Sequence, residues 1–140
     1  MNAMPDARSL LAQDRFAAHS GITLDLVEPG VARARMTVSP QHLNGAGIVQ
    51  GGAIFTLADF AFAAAANSGG AGIAVAIDVS ISFVKAVTGG VLTAEAREEA
   101  AGGRVSTCLV RVTDADGALV AIFKGTAYRK RDERGSGAPS

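Results

Sequence analysis

Between Gln50 and Asp78 the chain offers one ionisable side chain, Asp59. It sits in the stretch Gly51-Gly52-Ala53-Ile54-Phe55-Thr56-Leu57-Ala58-Asp59-Phe60-Ala61-Phe62-Ala63-Ala64-Ala65-Ala66, whose only other polar side chain is Thr56. A carboxylate in apolar surroundings is costly unless it is hydrogen-bonded or put to chemical use. Two roles are open to it: a structural cap on a nearby backbone group, or a nucleophile or general base. No Arg or Lys stands one helical turn away to neutralise it, which favours chemistry.

The segment Asn44-Gly45-Ala46-Gly47-Ile48-Val49-Gln50-Gly51-Gly52 runs straight into this apolar stretch. If the stretch is a helix, the backbone N–H groups near Gly51 and Gly52 have no intrahelical partner, and the helix dipole adds partial positive charge there. Such a terminus suits a phosphate or a developing oxyanion. Glycine lets the ligand approach. A plain loop followed by a helix start is the structural alternative.

Other chemistries fit poorly. Gly45, Gly47 and Gly51 miss the dinucleotide-binding spacing by one residue, and no phosphate-loop lysine follows. His19 and His42 are the only histidines and form no metal-binding cluster, so neither a metal nor another cofactor is expected. Cys108 lies in a strand pattern without a neighbouring histidine and reads as a small buried hydrophobe. The strained serine turn of the α/β-hydrolases is absent.

The elements that must position Asp59 follow from periodicity and turn residues. Pro5 to Ser20 predicts a short helix stopped by Gly21. Strands are predicted at Ile22–Val27 and Val31–Val38, joined by Glu28-Pro29-Gly30. A helix runs from about Gly51 to Asn67. Four more strands follow at Ile73–Val84, Val91–Glu98, Arg104–Thr113 and Leu119–Tyr128, with Gly89-Gly90, Gly102-Gly103 and Asp116-Gly117 as hairpin turns. The class is α+β. A helix without a polar face has to be covered on every side, so the strands should form a curved antiparallel sheet wrapped around it, with a second subunit against the open side. The alanines keep this helix thin.

At 140 residues and 49% apolar composition the chain reads as one globular domain, residues 1–140, with a helical segment at 1–20 and a disordered tail at 130–140. Thirteen basic residues balance thirteen acidic ones, which argues against a nucleic-acid partner. The single cysteine fits a reducing compartment. Neither a secretory signal nor a bilayer-spanning run is visible, so a cytoplasmic location with no membrane partner is expected.

Gly51 and Asp59 are eight residues apart, about 12 Å along one helix. One small ligand group cannot touch both. If both act, Asp59 comes from a neighbouring subunit whose helix runs antiparallel, and the site belongs to a dimer.

The segment Asn44…Gln50-Gly51-Gly52-Ala53-Ile54-Phe55-Thr56-Leu57-Ala58-Asp59-Phe60-Ala61-Phe62…Asn67-Ser68 closely resembles the hotdog thioesterases of the phenylacetate-degradation (PaaI) type, within the 4-hydroxybenzoyl-CoA thioesterase superfamily. Ile77–Ala86 and Val120–Arg129 resemble that family's strands, so the likeness spans roughly residues 15–130. It implies a hotdog fold, a homodimer with shared active sites, and a homotetramer built from two such dimers. It also implies an acyl-CoA substrate, with an aromatic or arylacetyl ester favoured. Asp59 matches the carboxylate that serves as nucleophile or general base. Gly51 matches the residue whose N–H polarises the carbonyl, and Asn44 the loop asparagine that helps place the water or the carboxylate. Two departures stand out. The family's His-Gly-Gly is here Gln50-Gly51-Gly52, and a glutamine can donate a hydrogen bond but cannot transfer a proton. Ala76 replaces a Ser or Thr that in some relatives supports the water.

The leading expectation is acyl-CoA hydrolysis, with Asp59 attacking or deprotonating water while Gly51 N–H and Gln50 hold the oxyanion. Gly52 would lie against the substrate, and Lys85, Lys124 and Arg129 are candidates for the CoA phosphates. An acyl-CoA-binding or sensing protein that lost catalysis through Gln50 is the alternative. A hydratase ranks last, because neither histidine lies in the motif.

Overall fold

A computed structural model describes residues 6–69 and 72–130 of the chain. The C-terminal tail expected at 130–140 lies, beyond Lys130, outside the described residues, as does Pro5 at the expected start of the first helix.

The N-terminal segment forms two short helices rather than one: α1 (Ala7–Ala12) and α2 (Arg15–His19). The break is chemical. Asp14 accepts from the Ala17 N–H at 2.9 Å, just as Asp6 accepts from Ser9 N–H at 2.8 Å. A carboxylate that caps a new helix cannot also sit inside the old one. Strands β1 (Ile22–Glu28) and β2 (Val31–Thr37) follow, then a 3-10 turn at Pro40–His42 and the long helix α3 (Gly51–Ala66). Strands β3 (Ala74–Phe83), β4 (Val91–Ala101), β5 (Val105–Thr113) and β6 (Leu119–Arg129) complete the described elements.

The six strands form one antiparallel sheet in the order β1-β2-β4-β5-β6-β3. The curved sheet packs against α3, which touches every strand. The α+β class is as the sequence predicts, but one connection is not. Gly89-Gly90 does not close a hairpin: β3 pairs with β6, and β4 pairs with β2. Residues 84–90 instead cross from one side of the sheet to the other. Their apolar content (Val84, Ala86, Val87) fits this path, because Val87 is buried and its carbonyl accepts the Val49 N–H at 2.9 Å. The crossover therefore passes directly under the entrance to α3.

Alternation builds the core. On β2, β4 and β5 the inward residues Ala32, Ala34, Met36, Leu92, Ala94, Ala96, Cys108, Val110 and Val112 are all buried. The register between β2 and β4 sets Ala34 opposite Ala94 and Met36 opposite Leu92, so alanines bring the helix close. Phe123 of β6 lies between Phe55 and Phe62 of α3, with ring centroids 5.4 and 5.6 Å away. Gly125 is required by this packing: a Cβ there would lie 2.8 Å from the Phe62 ring. Burying each such ring stabilises the fold by about 1.5–3 kcal/mol.

Helix α3 is not covered on every side by its own chain. Ile54, Leu57, Ala58, Phe60, Ala61, Phe62, Ala64, Ala65 and Ala66 are buried, Gly52 is exposed, and Gly51, Ala53, Phe55, Thr56, Asp59 and Ala63 are half-buried. Gly52, Thr56, Asp59 and Ala63, spaced by four, three and four, lie on one stripe. The edge strand β3 is similarly open, with Ile77 59% and Phe83 54% exposed.

Candidate active site

The loop before α3 is held by its own backbone and by Asn44. Asn44 Oδ1 accepts from Ala46 N–H at 2.8 Å and Ile48 N–H at 3.1 Å, and Gly47 takes a positive φ of 77°. Glycine adopts that conformation without strain. His42 is buried below the loop. Its Nδ1 accepts from the Ser39 N–H at 2.9 Å, so its Nε2 carries the proton and donates to Ser20 O at 2.7 Å. His42 O in turn accepts the Gln50 N–H at 2.8 Å. Neither histidine belongs to a metal-binding cluster among the described residues.

Gln50 is the N-cap of α3, and its Oε1 accepts from the Gly52 N–H at 2.8 Å. This corrects the expectation that both glycine N–H groups are unpaired. The Gly52 N–H is taken, whereas that of Gly51 meets no acceptor among the described residues. With its oxygen committed, Gln50 keeps its Nε2 as a donor at the same helix end. Beside them stands a residue that sequence reasoning missed. A Cβ on Gly51 would lie 3.0 Å from Cζ of Phe83, so the aromatic ring closes one side of the Gly51 backbone. Phe83 is the last residue of β3, where the crossover begins. The signal was available: a seven-residue connection rich in valine and alanine is a poor hairpin turn.

Asp59 lies two turns further on, on the uncovered stripe. Burial is the main cause that raises its pKa above the ordinary carboxylate value, and the negative charge of Asp14 adds to it. No cation or hydrogen-bond donor meets its carboxylate among the described residues. Nor is any fully enclosed side-chain oxygen or nitrogen left unpartnered there, so the half-buried Asp59 carboxylate is not sealed off. One turn before it, Thr56 turns its hydroxyl back to Gly52 O at 2.7 Å.

The three basic candidates are scattered. Lys85 lies in the crossover near the Gly51 end, where its ammonium meets Asp114 at 2.6 Å. Lys124 is exposed on the face of β6 turned away from α3, opposite Ser80. Arg129 lies at the far end of α3, donating to Ala66 O at 2.8 Å, on a cleft of about 520 Å³ also lined by Ser68, Arg97, Glu98 and Arg104. Ala76 is exposed beside the bulge that shifts the β3–β6 register. Cys108 is fully buried, and burial above all, with Glu98 and Glu99, pushes its thiol up to about 12, which removes it as a nucleophile at neutral pH.

A curved antiparallel sheet closed on one apolar helix, with an open N–H at the helix tip and a bare carboxylate midway along it, defines the hotdog class. The chain belongs to the thioesterase superfamily, whose family model matches residues 46–121. The acyl-coenzyme A thioesterase PaaI of Escherichia coli is 34% identical over 128 residues, 91% of either chain. Its structure superposes with a TM-score of 0.85 at 33% identity, covering 89% of this chain and 91% of that one. The TT0310 protein of Thermus thermophilus superposes with a TM-score of 0.80 at 34% identity, over 84% of this chain and 99% of that one.

Proposed function

We propose that this protein hydrolyses acyl-CoA thioesters, with aromatic or arylacetyl esters favoured, and that its site is completed by a second copy of the chain. The observation that carries this reading is the position of Asp59, a half-buried carboxylate without a partner among the described residues, on the partly uncovered stripe of a largely buried helix. The Gly51 N–H lies about 12 Å from it along the same helix. Two such helices packed antiparallel along the uncovered stripe bring each Gly51 to the other chain's Asp59. The exposed edge of β3 supports the same pairing, since Val75 and Ile77 leave an apolar strand without a neighbour. Two dimers then form a homotetramer, working in the cytoplasm as a single domain per chain.

In the reaction, the thioester oxygen sits on the Gly51 N–H at the positive end of α3, and Gln50 Nε2 donates a second hydrogen bond. Charge that develops on the oxygen is thereby stabilised by groups already in place. Asp59 of the other chain, as carboxylate, either attacks the carbonyl carbon or takes a proton from the attacking water. The C–S bond breaks and the CoA thiolate leaves; in the first case water then cleaves the acyl–Asp59 anhydride, releasing the free acid and restoring the carboxylate, and in the second the acid forms directly. Asn44 holds the loop in shape through Ala46 and Ile48, and its free amide faces the substrate together with Gly52. Of the basic candidates, Lys85, in the crossover near the Gly51 end, receives a CoA phosphate, whereas Lys124 and Arg129 stand away from that end.

Release of free thiol from a panel of acyl-CoAs tests this. Asp59→Ala should abolish release. Turnover at the parent rate by that variant sinks the assignment, and tight binding by the parent without thiol release favours the acyl-CoA-binding alternative. Co-expressing Asp59→Ala with Gln50→Ala should recover activity that neither assembly has alone, because mixed dimers keep one intact shared site.

A further inference from the structure

The Phe83 ring is large, apolar and 54% exposed, yet it is not loose on the surface. It lies against Gly51, with Cζ, Cε2 and Cε1 at 3.0, 3.3 and 3.4 Å from where a Cβ would stand. Its position is fixed from both directions along the chain. Behind it, Phe83 pairs with Ala121 at the end of β3; ahead of it, Val84 N–H donates to Val120 O at 2.7 Å. Lys85 then clamps the crossover to Asp114, whose other oxygen holds the β5–β6 turn through Asp116 and Ala118. A carbonyl bound at the Gly51 N–H has its oxygen about 3 Å from that nitrogen, which places the first carbons of the acyl group beside the ring.

We infer that Phe83 is the acyl-specificity residue of this thioesterase: its ring, seated against Gly51, forms the wall on which an aromatic acyl group stacks. The inference rests on acyl-CoA being the substrate, and it names the side chain that sorts one acyl group from another. Aromatic rings prefer offset or edge contacts worth more than their buried area alone. An acetyl group is too short to gain from them. The absence of a side chain on Gly51 serves two ends at once: it frees the N–H and gives the ring its seat.

The test compares kcat/KM for phenylacetyl-CoA and acetyl-CoA in the parent, Phe83→Ala, Phe83→Leu and Phe83→Tyr. Phe83→Ala should lower the phenylacetyl-to-acetyl ratio by about ten-fold. Phe83→Tyr should keep the ratio, and Phe83→Leu, which retains bulk and folding but not the flat ring, should fall between. The inference is overturned if the ratio stays within two-fold of the parent, or if both substrates lose equally, since a ring that only supports the fold does not discriminate. It is also overturned if the parent shows no preference, although hydrolysis then stands. If no variant releases thiol, the hydrolytic reading fails by itself, and the same ratio is read from calorimetric dissociation constants. Equal binding of both esters, or of neither, then rejects the role of Phe83.

Discussion

The two ends of α3 are built to opposite rules. At the C-terminal end the carbonyls of Ala63, Ala65 and Ala66 are all engaged. Asn67 donates to Ala63 O and Ala74 O and accepts from Ala74 N–H, Ser68 links Ala65 O to Gly30 N–H, and Arg129 reaches Ala66 O. At the N-terminal end two glycines expose the backbone, one N–H is left open, and the cap is a glutamine rather than one of the short polar residues that usually cap helices best. One end closes the fold. The other is held ready for something that is not part of it. The contrast shows how a single helix can serve as both anchor and binding tip, since the unpaired groups that every helix end carries can be satisfied from within or offered outward.

Three substitutions sharpen this contrast. Of the two ends, the larger effect on kcat is expected for Gln50→Ala, which removes one oxyanion donor and should lower kcat by about 10²–10³. The accompanying loss of the cap should lower stability by only about 1 kcal/mol; steady-state kinetics beside thermal melting separates the two. Asn67→Ala should do the reverse. It strips partners from the buried backbone of Ala74 and should destabilise the fold by about 2–4 kcal/mol, with kcat near that of the parent. A denaturant titration checks it, and a large loss of kcat in a folded Asn67→Ala protein breaks the comparison.

The smallest effect on stability is that of Asp59→Asn, midway between the ends, and it depends on pH. Because burial raises its pKa, the folded state prefers the protonated form. Its contribution to stability is full below the unfolded value and is lost as pH rises through the folded one. Asp59→Asn should therefore melt higher than the parent at neutral pH, with the gap closing in acid. Hydrolysis by the parent should fall as pH drops through a midpoint above the ordinary 3.8 of an aspartate. Melting curves and pH–rate profiles read the two effects separately.

Much of this was legible in the sequence because it is local. The helix over residues 51–66 follows from an unbroken apolar stretch, and the special place of Asp59 follows from its being the one charge within it. The strands follow from alternation, and their observed limits differ from the reading by a few residues at most. What was not legible is long-range. Gly89-Gly90 looks like a hairpin turn; the valine- and alanine-rich residues before it argue against one, but no local pattern encodes that β3 belongs beside β6, which is decided by which strands cover α3. That one misreading hid Phe83, which comes next to Gly51 only because the chain crosses over there. The cap formed by Gln50 was hidden for a simpler reason: its type predicts a donor, whereas its oxygen was the atom in use.

The crossover also sets an order of assembly. Strand β3 spans residues 74–83, but the strand it hydrogen-bonds, residues 119–129, is the last of the six described strands to be synthesised. Until that strand emerges, the nascent polypeptide carries an unsatisfied ribbon bearing Val75, Ile77 and Ile81. Non-local pairing of this kind slows folding and leaves sticky edges exposed in the meantime. A product ending before residue 119 would keep that ribbon bare for good, which marks the C-terminal strand as the segment on which the solubility of the whole polypeptide depends.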